Sequence, residues 1–206
     1  MGVIADYIAQ LNLLDALTTN SGPPPSAGWH AGSYSTGTSQ LSVASNVMGK
    51  PGAGWGSAYW GTDFGANQGV RIKVNVVGDF SAIICGDQEG ASTWDGYELL
   101  YTTSTHRFDI DEILNNGTTS LANTTTYTLA NNDEIAFMNI NGVLYGGIYQ
   151  AATWTDMLSI ADASYASGGS IGFWVNGTTA KFTGLYGGSI TPISAVTSRS
   201  MLLGVG

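Results

Sequence analysis

The chain predicts an all-β protein: a two-sheet antiparallel jelly-roll sandwich with a short N-terminal helix. Three observations carry this. From about residue 57 onward, apolar and polar residues alternate over short runs, the period-two signature of half-buried strands. Asn116-Gly117, Asn141-Gly142 and Asn176-Gly177 each stand between two apolar runs, and Asn-Gly supplies the positive φ angles of a tight hairpin turn. Helical spacing occurs in only one place, near the N-terminus.

That place is residues 3 to 17. Ile4, Tyr7, Ile8, Leu11 and Leu14 form an apolar stripe, with Asp6, Gln10 and Asp15 off it. A helix this short is marginal alone and needs a surface, either the sandwich, a sister subunit or a larger particle. Thr18 to Gly28 follows as a linker stiffened by Pro23-Pro24-Pro25. Strands are expected at 70–76, 81–85, 97–102, 107–114, 134–140, 143–149, 170–175 and 180–186. In the first, Ile72, Val74 and Val76 oppose Arg71, Lys73 and Asn75; in the fourth, Phe108, Ile110 and Leu114 oppose Arg107, Asp109 and Asp111. Nine or ten short strands without a long helix give the sandwich. The expected division is a helix and linker (1–28), the jelly roll (29–190) and a tail (191–206).

Composition narrows the function classes. The 206 residues suit one all-β domain and are enough for a core without staples. Fifteen acids against six bases give a net charge of −9, so nucleic acid and anionic membrane surfaces are not expected partners. Charged residues make up only 10%, leaving a surface of Ser, Thr, Asn and Gly. Cys85, the single cysteine, lies in the apolar run Ala82-Ile83-Ile84-Cys85 and reads as a small buried hydrophobe. The first residues lack a basic stretch before an apolar run, and no run reaches the ~18 residues of a membrane span. The expected origin is a host cytoplasm.

The motif order adds a resemblance. Tyr59-Trp-Gly-Thr-Asp-Phe64 leads into Asn67-Gln-Gly-Val70 and a strand; Gly96-Tyr-Glu-Leu-Leu-Tyr101 and a strand ending in Asn116-Gly117 follow. Leu129-Ala-Asn-Asn-Asp-Glu-Ile135 then introduces two strands, and Asp162 with Gly168-Gly-Ser-Ile-Gly-Phe173 closes the series. Over roughly residues 29 to 190 this resembles the concanavalin A-like lectin/glucanase (laminin-G-like) jelly rolls, especially those of tailed-phage virion proteins. Such domains often end in an acidic Asp-Asp-Phe strand, whereas this chain reads Phe182-Thr-Gly-Leu-Tyr-Gly-Gly188.

Reactive constellations are sparse. The glucanases of that family carry Glu-x-Asp-x-Glu on one strand face, the register a nucleophile and acid/base pair require. Here Asp109-Ile110-Asp111-Glu112-Ile113 offers two aspartates on one face, with Ile113 in place of the second glutamate. Gly168-Gly169-Ser170-Ile171-Gly172 fits Gly-x-Ser-x-Gly, but a strand follows where a nucleophile elbow needs a helix. His30 and His106 are read as surface or structural imidazoles. Gly52-Ala-Gly54-Trp-Gly56 is read as a flexible loop without dinucleotide spacing. No cofactor is expected; calcium at Asp87, Glu89 or Asp95 is the one cation considered.

Two functional readings follow, neither enzymatic. The resemblance implies a virion structural protein of a tailed phage, a minor tail or capsid decoration component associating with other virion proteins and with itself. Its docking residues would be Ile4, Tyr7, Ile8, Leu11 and Leu14, with Met201, Leu202 and Leu203 in the tail. The alternative is a carbohydrate-binding lectin module for host surface glycans, using Trp55, Tyr59, Trp60, Trp94 and Trp154 as ring platforms. Against this stands the reading in which most of those rings fill the core or an interface. A glycoside hydrolase is the remote third.

Overall fold

The computed structural model describes residues 2–17, 28–31, 41–87 and 94–193. The Pro23–Pro25 linker, Glu89 and the tail with Met201, Leu202 and Leu203 lie outside the described residues. A short helix α1 (Val3–Tyr7) and a 3₁₀ turn (Ile8–Gln10) open the chain. Strands follow as β1 (Asn12–Asp15), β2 (Trp29–Ala31), β3 (Ser42–Ala44), β4 (Val47–Gly49), β5 (Trp55–Trp60), β6 (Gln68–Val76), β7 (Phe80–Asp87) and β8 (Asp95–Thr102). The remainder are β9 (Arg107–Leu114), β10 (Gly117–Thr124), β11 (Glu134–Ile140), β12 (Val143–Gln150), β13 (Thr153–Ala161), β14 (Ser170–Asn176) and β15 (Lys181–Ser189).

They form the expected two-sheet antiparallel sandwich. Sheet A runs β13-β12-β11-β6-β15-β4-β3, with β1 also paired to β15; sheet B runs β10-β9-β8-β7-β14-β5-β2. Alternation decides what lies between them. Val70, Ile72, Val74, Ile135 and Phe137 face inward from sheet A, while Ala82, Ile84, Leu99, Phe108, Ile110, Phe173 and Val175 face them from sheet B. Odd positions of β9 point outward, as the pattern predicts, and Leu114 at its end is exposed.

The N-terminal expectation needs correction. Residues 3 to 17 do not form one helix: at Leu11 the backbone turns extended (φ −78°, ψ 123°), and β1 pairs with β15. Ladder bonds along an open strand edge outweigh the small gain of extending a marginal helix. Nor is the stripe free for neighbouring proteins. Ile4, Tyr7 and Leu11 are buried against Ala136, Met138, Ile140 and Ile190 on the outer face of sheet A, with Ile8 packed alongside, and Leu14 packs on the main core. A Cβ at Gly147 would lie 2.4 Å from Ile4 Cδ1, so a larger residue there would have to displace the Ile4 side chain that packs α1 onto β12. Asp156 of β13 accepts from the Val3 and Ile4 N–H groups (2.6 and 3.1 Å), capping the helix from across the fold. Gln10 and Thr191 exchange backbone–side-chain bonds, and Ile193 N–H donates to the Tyr7 hydroxyl. The described parts of both flanking segments are therefore built into the sandwich.

The turns also differ in detail. Asn141-Gly142 is the tight hairpin expected, with both φ angles positive and Ile140 paired to Val143. The β9–β10 turn instead centres on Asn115-Asn116, because asparagine tolerates the left-handed region and Gly117 enters β10 opposite Leu114. Asn176-Gly177 is no hairpin: β14 belongs to sheet B and β15 to sheet A, so this turn crosses between layers. Two two-residue hairpins lack an Asn-Gly signal, with Ser45-Asn46 joining β3 to β4 and Ala151-Ala152 joining β12 to β13, all four residues at positive φ.

Candidate functional site

Site construction starts from an irregularity in β7. Cys85 adopts φ 55°, and the register slips between Ile84 and Asp87 against β8 and between Ser170 and Gly172 against β14. Such a bulge stops regular pairing and parts the strands. Gln68, fully buried at the start of β6, holds the parted pieces. Its Oε1 accepts from Cys85 N–H (3.1 Å), and its Nε2 donates to the carbonyls of Gly65 (2.6 Å) and Gly169 (3.1 Å). One side chain thus ties three loops together. The Phe64 N–H donates to the Gly169 carbonyl (3.1 Å). Gly168 has φ +91°, and a Cβ there would sit 2.1 Å from the Gly65 carbonyl carbon, so the Gly-Gly pair is required by close approach of two backbones.

The opening is a cavity of about 450 Å³ where β5 and β7 end and β8 and β14 begin. His30 and Tyr59 form one wall, their rings stacked at 5.2 Å with 23° between planes. Asp63, Asp87, Asp95, Tyr165 and the Ser167–Ser170 turn supply the rest, with Cys85 and Gly86 also lining it. Asp63 Oδ1 accepts from Gly65 N–H (2.8 Å) and Asp95 Oδ1 from Asn115 N–H (2.5 Å), which fixes both carboxylates. The Tyr165 hydroxyl donates to the Ile113 carbonyl (2.5 Å); burial first, then the nearby Asp95 charge, pushes its pKa up to about 12. Burial likewise pushes the Cys85 thiol up to about 11, so it remains a neutral thiol and not a nucleophile.

Beside the cavity, the outer face of sheet B carries one row of cross-strand neighbours: His30, Tyr59, Gly172, Ile83, Glu98, Asp111 and Ser120. Glu98 and Asp111 are buried at 1% and 6% exposure. Ser81 donates to Glu98, and Arg107 pairs with Asp109. Burial raises Glu98 to about 7, helped by the Asp111 and Asp109 charges; burial and then Asp109 raise Asp111 to about 6. These acids are enclosed, and none lines the cavity.

Of the five rings expected as platforms, the structure brings only Tyr59 to the cavity. Trp94 is fully buried against Gly172, edge-on to Tyr59 (6.3 Å) and Trp174 (5.8 Å), which removes it as a platform. Trp60 meets Trp29 edge-on at 5.4 Å and packs on the main core. Trp154 lies on β13 in sheet A, beside Tyr149 and the N-terminal cluster. Trp55 is half-buried on the outer face of sheet B, 6.2 Å from Trp174. Ser170 does line the cavity, but it opens a strand and not a helix. His106 contacts the Tyr101 hydroxyl (3.1 Å) in a turn. Asp87 and Asp95 share the cavity wall, yet among the described residues no three His, Cys, Asp or Glu side chains are gathered as metal ligands. Glu89, the third carboxylate considered for calcium, lies outside the described residues.

Sequence reasoning missed Gln68, Asp63, Glu98 and Tyr165. A glutamine opening a strand looks like any polar residue there. Glu98 could have been found, since it alternates with inward Tyr97 and Leu99 and so shares the outward face of the aspartates.

No protein-family model matches the chain, and no curated protein does. Solved structures do. A carbohydrate-binding module, CBM66 from Bacillus subtilis, is 15% identical with a TM-score of 0.59, covering 79% of this chain and 96% of that one. The Ca²⁺-bound exoplasmic/lumenal domain of VIP36 is 10% identical with a TM-score of 0.66, covering 91% and 95%. A Bacillus subtilis protein of unknown function with a galectin-like fold is 11% identical with a TM-score of 0.63, covering 89% and 100%. At these identities the likeness is one of architecture: the chain has the fold of the lectin-like jelly rolls.

Proposed function

We propose that this protein is a non-enzymatic carbohydrate-binding module of lectin type, with its sugar site in the cavity between His30–Tyr59 and the Gly168–Gly169 turn. The observation that carries the reading is the cavity's make-up. It lies in the size range of small-ligand sites, and it is lined by a stacked aromatic pair together with carboxylates and glycine backbone. A pyranose needs that pairing: an apolar ring face to lie against, and acceptors and donors around its hydroxyls. Among the structural neighbours, CBM66 is a carbohydrate-binding module, and VIP36 has been seen in a Ca²⁺/Man-bound form. These names support the reading by analogy of fold.

The burial of Glu98, Asp109 and Asp111 argues against a hydrolase, whose carboxylate pair must reach the glycosidic bond. The virion role expected from the motif order draws no support from the neighbours. Its docking-helix argument falls with the burial of Ile4, Tyr7 and Leu11. Binding to a glycan array tests the proposal: saturable binding to a defined sugar class is expected, weakened about tenfold or more by Tyr59→Ala. A folded protein that leaves every glycan unbound refutes it.

A further inference from the structure

Resting on the sugar-site reading, we infer that the ligand is an oligosaccharide and not a single sugar, with a second, uncharged residue held in a smaller cavity beyond the Gly65–Gly168 contact. Ala66, Ala163 and Ala166 line this cavity of about 290 Å³ together with Asn67, Asn139 and the Asn141-Gly142 turn. The two cavities share both of their loops. Between β13 and β14, Ala163 and Ala166 line the smaller one, whereas Tyr165 and Ser167 to Ser170 line the larger. Between β5 and β6, Gly61 and Asp63 line the larger, and Ala66 and Asn67 the smaller. Ala166 and Ser167 are consecutive, so the two walls stand about 3.8 Å apart at their Cα atoms. The divide is a contact of two glycines: a Cβ on Gly168 would lie 2.1 Å from the Gly65 carbonyl carbon. Gly65 itself is open on its free side, where a Cβ would find no atom within 4 Å. The partition between the cavities is therefore thin and carries no side chain at that contact.

The smaller cavity offers the two kinds of surface that an uncharged sugar residue uses. Three alanine methyl groups give its C–H groups an apolar wall, and the asparagines give its hydroxyls hydrogen-bonding groups. No acidic or basic side chain is among the described lining residues. The asparagines are held in place: Asn67 Oδ1 accepts from the Asn141 N–H (2.6 Å) and Asn139 Oδ1 from the Gly142 N–H (3.1 Å). The Asn67 amide nitrogen and the Asn141 side chain make no further hydrogen bond among the described residues. They leave donors and an acceptor for a ligand. Linkage supplies the rest of the argument. Once one residue is held at Tyr59, a residue joined to it meets the second cavity at high effective concentration, so even a weak contact there raises the overall affinity. A single sugar occupies one cavity only.

Nuclear magnetic resonance titration of the full chain tests this with glucose, mannose and N-acetylglucosamine, each offered as the monomer and as linear oligomers up to the hexamer. For the sugar that binds, the longer oligomers should bind about tenfold or more tighter than the monomer. They should shift the amides of Asn141, Gly142, Ala163 and Ala166 as well as those of the larger cavity, which the monomer alone should shift. Ala163→Leu fills the smaller cavity from an exposed position. It should reduce oligomer affinity to that of the monomer and leave monomer binding unchanged, which also reports an intact fold. Asn141→Gly keeps the positive φ of the turn and should give a smaller loss in the same direction. Equal affinity at every length, or an oligomer gain that survives Ala163→Leu, overturns the second subsite and leaves the sugar site standing. No binding of any of the three sugars at any length removes both.

Discussion

Replacing Gln68 by methionine removes the tie between the three loops that frame the cavity while preserving side-chain length. Three hydrogen bonds go at once: one from Cys85 N–H and two to the carbonyls of Gly65 and Gly169. Each is worth roughly 0.5–1.5 kcal/mol net, and the buried Cys85 N–H left without an acceptor adds a desolvation penalty of about 1–3 kcal/mol. The carbonyls suffer less: that of Gly169 still accepts from Phe64 N–H. A loss of about 3–5 kcal/mol is expected, allowing for relaxation. In a chain of 206 residues about 1 kcal/mol shifts Tm by 2–4 °C, so the drop should be at least ~6 °C. Chemical denaturation should give the same loss at unchanged m, and hydrogen exchange should speed up at the Cys85 amide, which loses its acceptor, and at the Phe64 amide, which donates to the loosened Gly169 carbonyl. A Gln68→Met protein as stable as the parent, with those amides still protected, would falsify the claim that this side chain holds the site open.

Three further outcomes follow from the coordinates. Glu98 is protonated in the fold up to about pH 7 and would titrate near 4.5 when unfolded, so the folded state holds the extra proton between those values. Stability should therefore be greatest at the acid end of that window and fall as pH rises through about 7, by on the order of 3 kcal/mol. Glu98→Gln should flatten the dependence, and an unchanged slope by urea titration at several pH values refutes the assignment. Ala151 and Ala152 both sit at positive φ, where a Cβ costs about 1–2 kcal/mol per residue; Asn-Gly there should raise stability by about 1–2 kcal/mol in thermal unfolding, and no gain argues against the turn geometry. Asp156→Ala removes both bonds to the α1 N-terminus; a loss of about 1–2 kcal/mol is expected, with exchange at Val3 and Ile4 accelerated and the sheet amides unaffected.

The fold was legible because period-two patterning is a local property that each strand carries by itself. The Arg107–Leu114 strand and its outward acids could be read directly from alternation. Partnership between strands is not local. Asn176-Gly177 has the composition of a hairpin, yet it joins two sheets, since only packing decides that β14 lies between β7 and β5. Residues 3 to 17 carry helical spacing that competes with an open edge of β15, a competitor no window of sequence contains. The site was hardest to read. Its aromatics were visible as a class, but burial of Trp94 over Gly172 and placement of Trp154 on the far sheet are tertiary outcomes. Gln68 gains its role from a bulge at Cys85, seventeen residues away.

Nuclear magnetic resonance titration with a sugar found on the array tests the central claim most directly. The shifts should gather at His30, Tyr59, Gly86, Gly169 and Ser170, the rim and floor of the 450 Å³ cavity. Shifts confined to sheet A around Tyr149 and Trp154, or a sugar that moves no resonance in the described loops, would contradict it.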